Sequence, residues 1–146
     1  MLGHKDCDLS IQYETFEHGA DIGIRGCGNS MEEAFENTAI ALYSVMVNIS
    51  RISPTENRVV SVSAPDHELL LVEWLNALLS ISDVERMVFG KFEVKIKDTM
   101  LIGTAWGEGL DQARHEPKVE VKGATYHMLS VKQQDLRYVA QCVVDV

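Results

Sequence analysis

Apolar positions along this chain follow two periods, a helical one early and a two-residue one late. Met31, Ala34, Phe35, Thr38, Leu42, Val45, Met46 and Ile49 recur three and four apart, which puts them on one stripe of a helix. Ser30 and Glu33 stand ahead of that stripe in the S-x-x-E order of a capping box, where each side chain satisfies a backbone donor of the first turn. The helix is predicted to begin there, with Glu32, Glu36 and Asn37 facing water. A second helix is predicted behind Asp66. From Leu69 to Ile81 it is apolar nearly all round, with Glu73, Asn76, Ser80 and Asp83 as its polar stripe, and it is expected to be the central, deeply packed helix.

Strands are predicted where the alternation has period two. Ile11 to Glu17 and Asp21 to Cys27 form the first pair, joined by His18-Gly19-Ala20, and Val59 to Ala64 forms the next strand. After Val88 the chain turns to β: Phe92, Val94 and Ile96 alternate with Lys91, Glu93, Lys95 and Lys97. Met100 to Trp106, Lys118 to Tyr126, Met128 to Lys132 and Leu136 to Val144 continue the pattern, with turns at Asp98-Thr99 and Gln133-Gln134. Gly123 interrupts it, which suggests a bulge. Two early helices and a late meander predict an α+β domain, two helices packed on one side of a largely antiparallel sheet. Without repeats or linkers, a single domain is expected over residues 11–146, behind a loose leader of residues 1–10.

Composition narrows the function. A chain of 146 residues, 46% hydrophobic and 24% charged, can bury one core. Its net charge of -9 argues against direct nucleic-acid binding, which draws its affinity from Lys and Arg on phosphates. A protein with a basic surface, or a cation, fits better as a partner, while composition alone favours plain solubility as the reason for the charge. Cys7, Cys27 and Cys142 are odd in number and lack C-x-x-C spacing, so they read as reduced thiols. The chain shows no 18-residue apolar run and no secretory signal, so no membrane partner and a cytoplasmic location are expected. A monomer is expected too, since no long exposed apolar stripe should remain after packing.

Few residues offer chemistry. Asp21 follows a tight turn and Asp145 follows Val143-Val144 at the end of the chain. If both are tied into the sheet their carboxylates meet, with the α-carboxylate of Val146 as a third anion. Such an oxygen cluster suits Ca²⁺, Mg²⁺ or Mn²⁺ rather than zinc. The commoner alternative is that Asp21 caps a turn and Asp145 is a solvated terminal residue. His18, His115 and His127 lack H-x-x-x-H spacing; His115, beside Glu116 and Pro117, reads as satisfied or surface. Lys122 reads as a solvated strand lysine beside Gly123. Phosphate-loop, dinucleotide and nucleophile-elbow motifs are missing, which argues against an autonomous NTPase or acyl hydrolase.

One ordered set of segments adds to this. Tyr13-Glu14-x-Phe16-x-His18-x-Ala20-Asp21-Ile22-Gly23-Ile24-Arg25, Glu32-Glu33-Ala34-Phe35-Glu36-Asn37, Leu70-Leu71-Val72-Glu73-Trp74-Leu75-Asn76, Gly107-Glu108, Val121-Lys122-Gly123-Ala124-Thr125-Tyr126-His127 and Val144-Asp145-Val146 together resemble the archease family. The resemblance implies a non-enzyme: a cofactor of the RtcB-type tRNA-splicing RNA ligase that promotes guanylylation and multiple turnover of the ligase. It implies a divalent cation, Ca with Mg or Mn as alternatives, held by Asp21, Asp145 and Val146. Lys122 is implied as functionally important, with His18 and His127 inside the matching motifs. Gly19 stands where the family usually has threonine. The rival readings are a metal-dependent hydrolase using Asp21, Asp145 and His127, and a metal-independent, chaperone-like module that binds proteins.

Overall fold

In the computed structural model, which describes residues 11–146, the first hairpin forms as the alternation predicts. β1 (Tyr13–His18) pairs antiparallel with β2 (Asp21–Gly28), and His18 stands opposite Asp21. Gly19, first of the two loop residues, has φ of +61°, a left-handed value that a Cβ would penalise. The predicted leader and Cys7 lie outside the described residues. Cys27 is disulfide-bonded, which corrects the reading of three reduced thiols. Cys142 is free and buried, and burial pushes its thiol up to about 12.

Both helices start at the predicted caps. The Ser30 hydroxyl accepts the Glu33 N–H at 3.1 Å to open α1 (Met31–Met46), and Asp66 accepts the Leu69 N–H at 2.8 Å to open α2 (His67–Glu85). The Glu33 carboxylate reaches back to the Asn29 N–H at 2.6 Å, one residue beyond the ordinary capping box. α1 stops at Met46, so Ile49 falls in a short 3₁₀ turn, Ile49–Arg51.

The remaining strands divide into two sheets. In the first, β2 pairs with β8 (Arg137–Asp145), which pairs in turn with β6 (Gly123–Ala124) and β7 (Ser130–Gln134). In the second, β5 (Met100–Gly109) lies between β3 (Glu56–Ser63) and β4 (Met87–Lys97). Every pairing is antiparallel, so the α+β class stands, and each sheet has the helices on one side. What the alternation did not reveal is that α1 and α2 form a layer between two sheets. α1 packs on β2 and β8 of one and on β4 of the other.

That arrangement explains two departures around α1. Ala34, Phe35, Thr38, Ala39, Ala41, Leu42, Tyr43 and Val45 are all buried, so α1 is as central as α2. Asn37, expected in water, is buried and donates from Nδ2 to the Cys27 carbonyl at 2.7 Å. Glu36, half-buried, accepts the Val94 N–H of β4 at 2.8 Å.

A third departure concerns residues 118–126, of which only Gly123 and Ala124 form a strand, in regular register with β8 and without a bulge. The preceding residues have another partner. The Lys118 N–H donates to the Met46 carbonyl at 2.8 Å, satisfying an acceptor that the end of α1 leaves open. A single-turn α3 (Gln112–His115) leads into this segment. The β7–β8 turn falls at residues 135–136 rather than at Gln133-Gln134, with Asp135 at φ 58°.

Candidate functional site

Strand register, not distance along the chain, brings the two ends together. Ile22 of β2 stands opposite Val144 of β8, so one further step of the same register sets Asp21 opposite Asp145. Cross-strand partners share a face of a sheet, and Ile22 and Val144 pack into the core, which leaves both aspartates on the outer face. His18 extends the row through β1 and Gly123 through β6. The Val146 N–H donates to Oδ1 of Asp21 at 3.3 Å, closing a separation of 125 residues.

The other predicted residues collect around this row. The Lys122 N–H donates to the Asp145 carbonyl at 2.8 Å, so Lys122 borders the site through its backbone while lining a groove of about 600 Å³ along α2. His127 lies in a turn, not in a strand, and its ring meets that of His18 edge-on with centroids 4.5 Å apart. Thr125 fixes this turn: its hydroxyl donates to the Val143 carbonyl at 2.7 Å and accepts the His127 N–H at 3.1 Å. The structure therefore gathers His18, Asp21, Lys122, His127, Asp145 and Val146 at one end of the first sheet.

The rest of the outer face forms a scaffold that sequence reasoning missed. Arg25, buried, donates to Glu14 at 2.6 Å and to the Gln141 side chain at 2.9 Å, and Gln141 donates to the Met128 carbonyl at 3.1 Å. The guanidinium lies 4.6 Å from the centre of the Phe16 ring, and that ring covers Gly23, where a Cβ would come within 2.1 Å of it. One chain of bonds thus ties β1, β2, β8 and the His127 turn together. A buried charge with two partners is costly to disturb, so the face is stiff.

The donor chemistry decides what this end can hold. Among the described residues, no group of three or more His, Cys, Asp or Glu side chains is placed to bind a metal ion. Two aspartates opposed in register, with the main-chain oxygen of Val146, make an all-oxygen set, which fits a hard divalent cation and not zinc. A groove of about 450 Å³ between the ends of α1 and α2, and the one of about 600 Å³ beside Lys122, both exclude Asp21, Asp145 and His127.

A second polar cluster, in the other sheet, makes His115 the satisfied of the two alternatives and not the surface one. The ring is fully buried; its Nδ1 accepts the Asp111 N–H at 2.9 Å, so its proton sits on Nε2 and is donated to Glu108 at 2.8 Å. The Ser53 N–H also reaches Glu108, at 2.9 Å, and these bonds hold the Glu108 carboxyl below the usual range. Only the Gly107-Glu108 match hinted at this cluster. Because Glu108 is more acidic folded than unfolded, its stabilising contribution is complete above pH 4.5 and fades as pH falls below it. Urea unfolding from pH 6 to pH 3 is expected to show wild type exceeding Glu108→Gln by a margin that shrinks on the acid side. A constant margin would mean that ionised Glu108 does not contribute.

The Archease protein family (MTH1598/TM1083) profile matches residues 13–146. The chain belongs to the archease family. "Protein archease" of Pyrococcus abyssi is 49% identical over 140 residues, covering 92% of this chain and 99% of that one, and the Pyrococcus furiosus protein of the same name is 45% identical with equal coverage. The solution structure of Methanobacterium thermoautotrophicum protein 1598 superposes with a TM-score of 0.81 at 37% identity, covering 92% of this chain and 99% of that one. A Thermotoga maritima archease, described as a possible chaperone, shares the fold with a TM-score of 0.61 at 19% identity, covering 98% and 100%. Archease membership accounts for the ordered motifs that lie on β1, β2, α1, α2 and the two segments meeting at Asp145.

Proposed function

We propose that this archease-family protein activates an RtcB-type tRNA-splicing RNA ligase, promoting guanylylation of the ligase so that it turns over repeatedly. The observation that carries the reading is the 3.3 Å contact of Asp21 with the Val146 N–H, which supports a three-anion end where the family likeness implies a cation. Asp21, Asp145 and the main-chain carboxylate of Val146 would hold Ca²⁺, or Mg²⁺ or Mn²⁺ in its place. Bound there, the ion would supply positive charge beside nucleotide phosphates at the ligase surface.

This chain's own residues do the positioning. The Arg25 network keeps β1, β2 and β8 in fixed register, so the aspartates need little reorganisation on binding. Lys122 joins Asp145 through its backbone and can present a cation to the partner, while His18 and His127 form the rim. Guanylylation itself stays with the ligase, and the chaperone description of the Thermotoga relative is in keeping with a protein partner. The location consistent with this role is the cytoplasm; among the described residues, no helix is long and apolar enough to cross a membrane.

The test is a turnover measurement on a cognate RtcB-type ligase. With this protein the ligase is expected to complete many cycles, and without it about one. Equal turnover in both cases would remove the activator reading. Cleavage of phosphoesters by the purified protein alone would favour the hydrolase instead.

A further inference from the structure

The second sheet turns one face to the helices and the other to solvent. Its antiparallel register sorts the outward residues into rows: Asn57, Trp106 and Lys91; Val59, Thr104 and Glu93; Ser61, Ile102 and Lys95; Ser63, Met100 and Lys97. Val59, Met100 and Ile102 are 63%, 60% and 56% exposed, so an apolar stripe does remain after packing, contrary to the expectation from sequence. Along its β4 side run three lysines and one glutamate, in a chain whose net charge is -9.

We propose that this face, with Val59, Met100 and Ile102 beside Lys91, Lys95 and Lys97, docks an acidic amphipathic segment of a partner protein. Charge complementarity selects the partner: the face is locally basic on an acidic protein, so it attracts what the rest of the surface repels. Geometry selects its shape. Lys95 and Lys97 are alternate residues of one strand, about 6.7 Å apart at the rise of a β-strand. An extended segment with a carboxylate at every second position repeats at the same interval and turns its intervening apolar side chains the other way. Laid between the β4 and β5 rows with its pleat parallel to the sheet, it sets carboxylates toward Lys95 and Lys97 on one side and apolar side chains toward Ile102 and Met100 on the other.

Two other modes fit less well. Addition of a strand to the edge of β4 is obstructed, because the Glu36 carboxylate already occupies the Val94 N–H at 2.8 Å. A single-stranded nucleic acid needs aromatic faces for its bases. Trp106, the aromatic side chain of this face, is half-buried, and Lys91 Nζ lies 5.0 Å from its ring centre. The aliphatic stripe offers no stacking platform. The face also lies across the helical layer from Asp21 and Asp145, so a segment docked here leaves the cation end open, and the inference does not rest on the ligase reading.

Trp106 makes the test direct, because Trp74 is fully buried and donates its indole N–H to the Phe35 carbonyl. Emission from Trp106 is followed while a short synthetic peptide of alternating glutamate and leucine is added to the full chain, with an alternating lysine and leucine peptide and an oligouridine as comparisons. The acidic peptide is expected to shift the emission saturably, and salt to weaken its binding. Lys95→Glu combined with Lys97→Glu is expected to raise its Kd about tenfold or more, as is Ile102→Ser, with unchanged melting of these exposed-site variants. Equal binding to wild type and variants, no binding of the acidic peptide, or a response to oligouridine in its place would overturn the proposal.

Discussion

Asp21→Asn protein is expected to melt no lower than wild type in the presence of a chelator, and Ca²⁺ is expected to raise the Tm of wild type but not of this variant. The first half follows from repulsion. Unit charges about 4 Å apart interact by about 4 kcal/mol at an effective dielectric near 20, and water at this exposed end reduces that figure. On the proposed reading a local cost is therefore expected where one further step of the β2–β8 register sets Asp21 beside Asp145. Neutralising one member relieves it. The single bond at stake, from Val146 N–H at 3.3 Å, can be accepted by an amide oxygen as well.

The second half follows from mass action. A ligand at about 100 times its Kd stabilises the state that binds it by about 2.7 kcal/mol, which raises Tm by several degrees in a domain of this size. Removing one of three anionic ligands is expected to weaken cation binding by about 100-fold or more, which abolishes that rise at the same cation concentration. In the guanylylation assay the same variant, and Asp145→Asn, should leave the ligase near its unassisted rate. An undiminished Ca²⁺-dependent rise in Tm for both variants would take the aspartates out of the cation site. Intact cation binding with lost activation would instead place their role at the partner surface.

How much of this could be read before the structure depended on whether a residue's signal was local. Ser30 and Asp66 announced their helices because a cap is a matter of four consecutive residues. Gly19 announced its hairpin in the same way. By contrast, Asn37 and Glu36 sat on what looked like the water-facing side of α1, and only the two sheets together closed that side, the first through the Cys27 carbonyl at Asn37 and the second through the Val94 N–H at Glu36. Period alone does not say how many layers will cover a helix. Likewise the alternation of residues 118–122 is real, but the Lys118 N–H is bonded to the open carbonyl at Met46 and not to a strand.

The site itself was legible as a set of residue types and not as a geometry. Asp21 and Asp145 could be named because polar residues ended apolar strands, whereas their meeting depends on the β2–β8 register, which no short segment encodes. Gln141 gave no signal, and Arg25 stood only as the last residue of the first matching motif, with nothing to mark it as buried. A charged residue midway along a strand ordinarily reads as solvated, and its burial here depends on Glu14, Phe16 and Gln141 arriving from two other strands.

The register that carries Asp21 rests in turn on how closely β2 lies against α1, and Gly26→Ala is expected to destabilise the protein by about 3 kcal/mol. Gly26 lies on the core face of β2, opposite Ala140. A Cβ there would stand 2.2 Å from the Thr38 backbone nitrogen, 2.4 Å from the Ala34 carbonyl oxygen and 2.5 Å from the Thr38 hydroxyl. Two of those atoms belong to the helix backbone and cannot swing aside as a side chain would, so sheet and helix must part. Parting them also strains the Thr38 hydroxyl, which donates to the Ala34 carbonyl at 2.7 Å and lies 3.3 Å from that of Ala140. Gly109→Ala is the control, since a Cβ there meets nothing within 4 Å, and its change should stay within about 0.5 kcal/mol. Urea unfolding of the two variants measures the difference. A loss for Gly26→Ala no larger than for the control would mean that α1 and β2 hold each other loosely, leaving the Arg25 network alone to fix the β2–β8 register at Asp21.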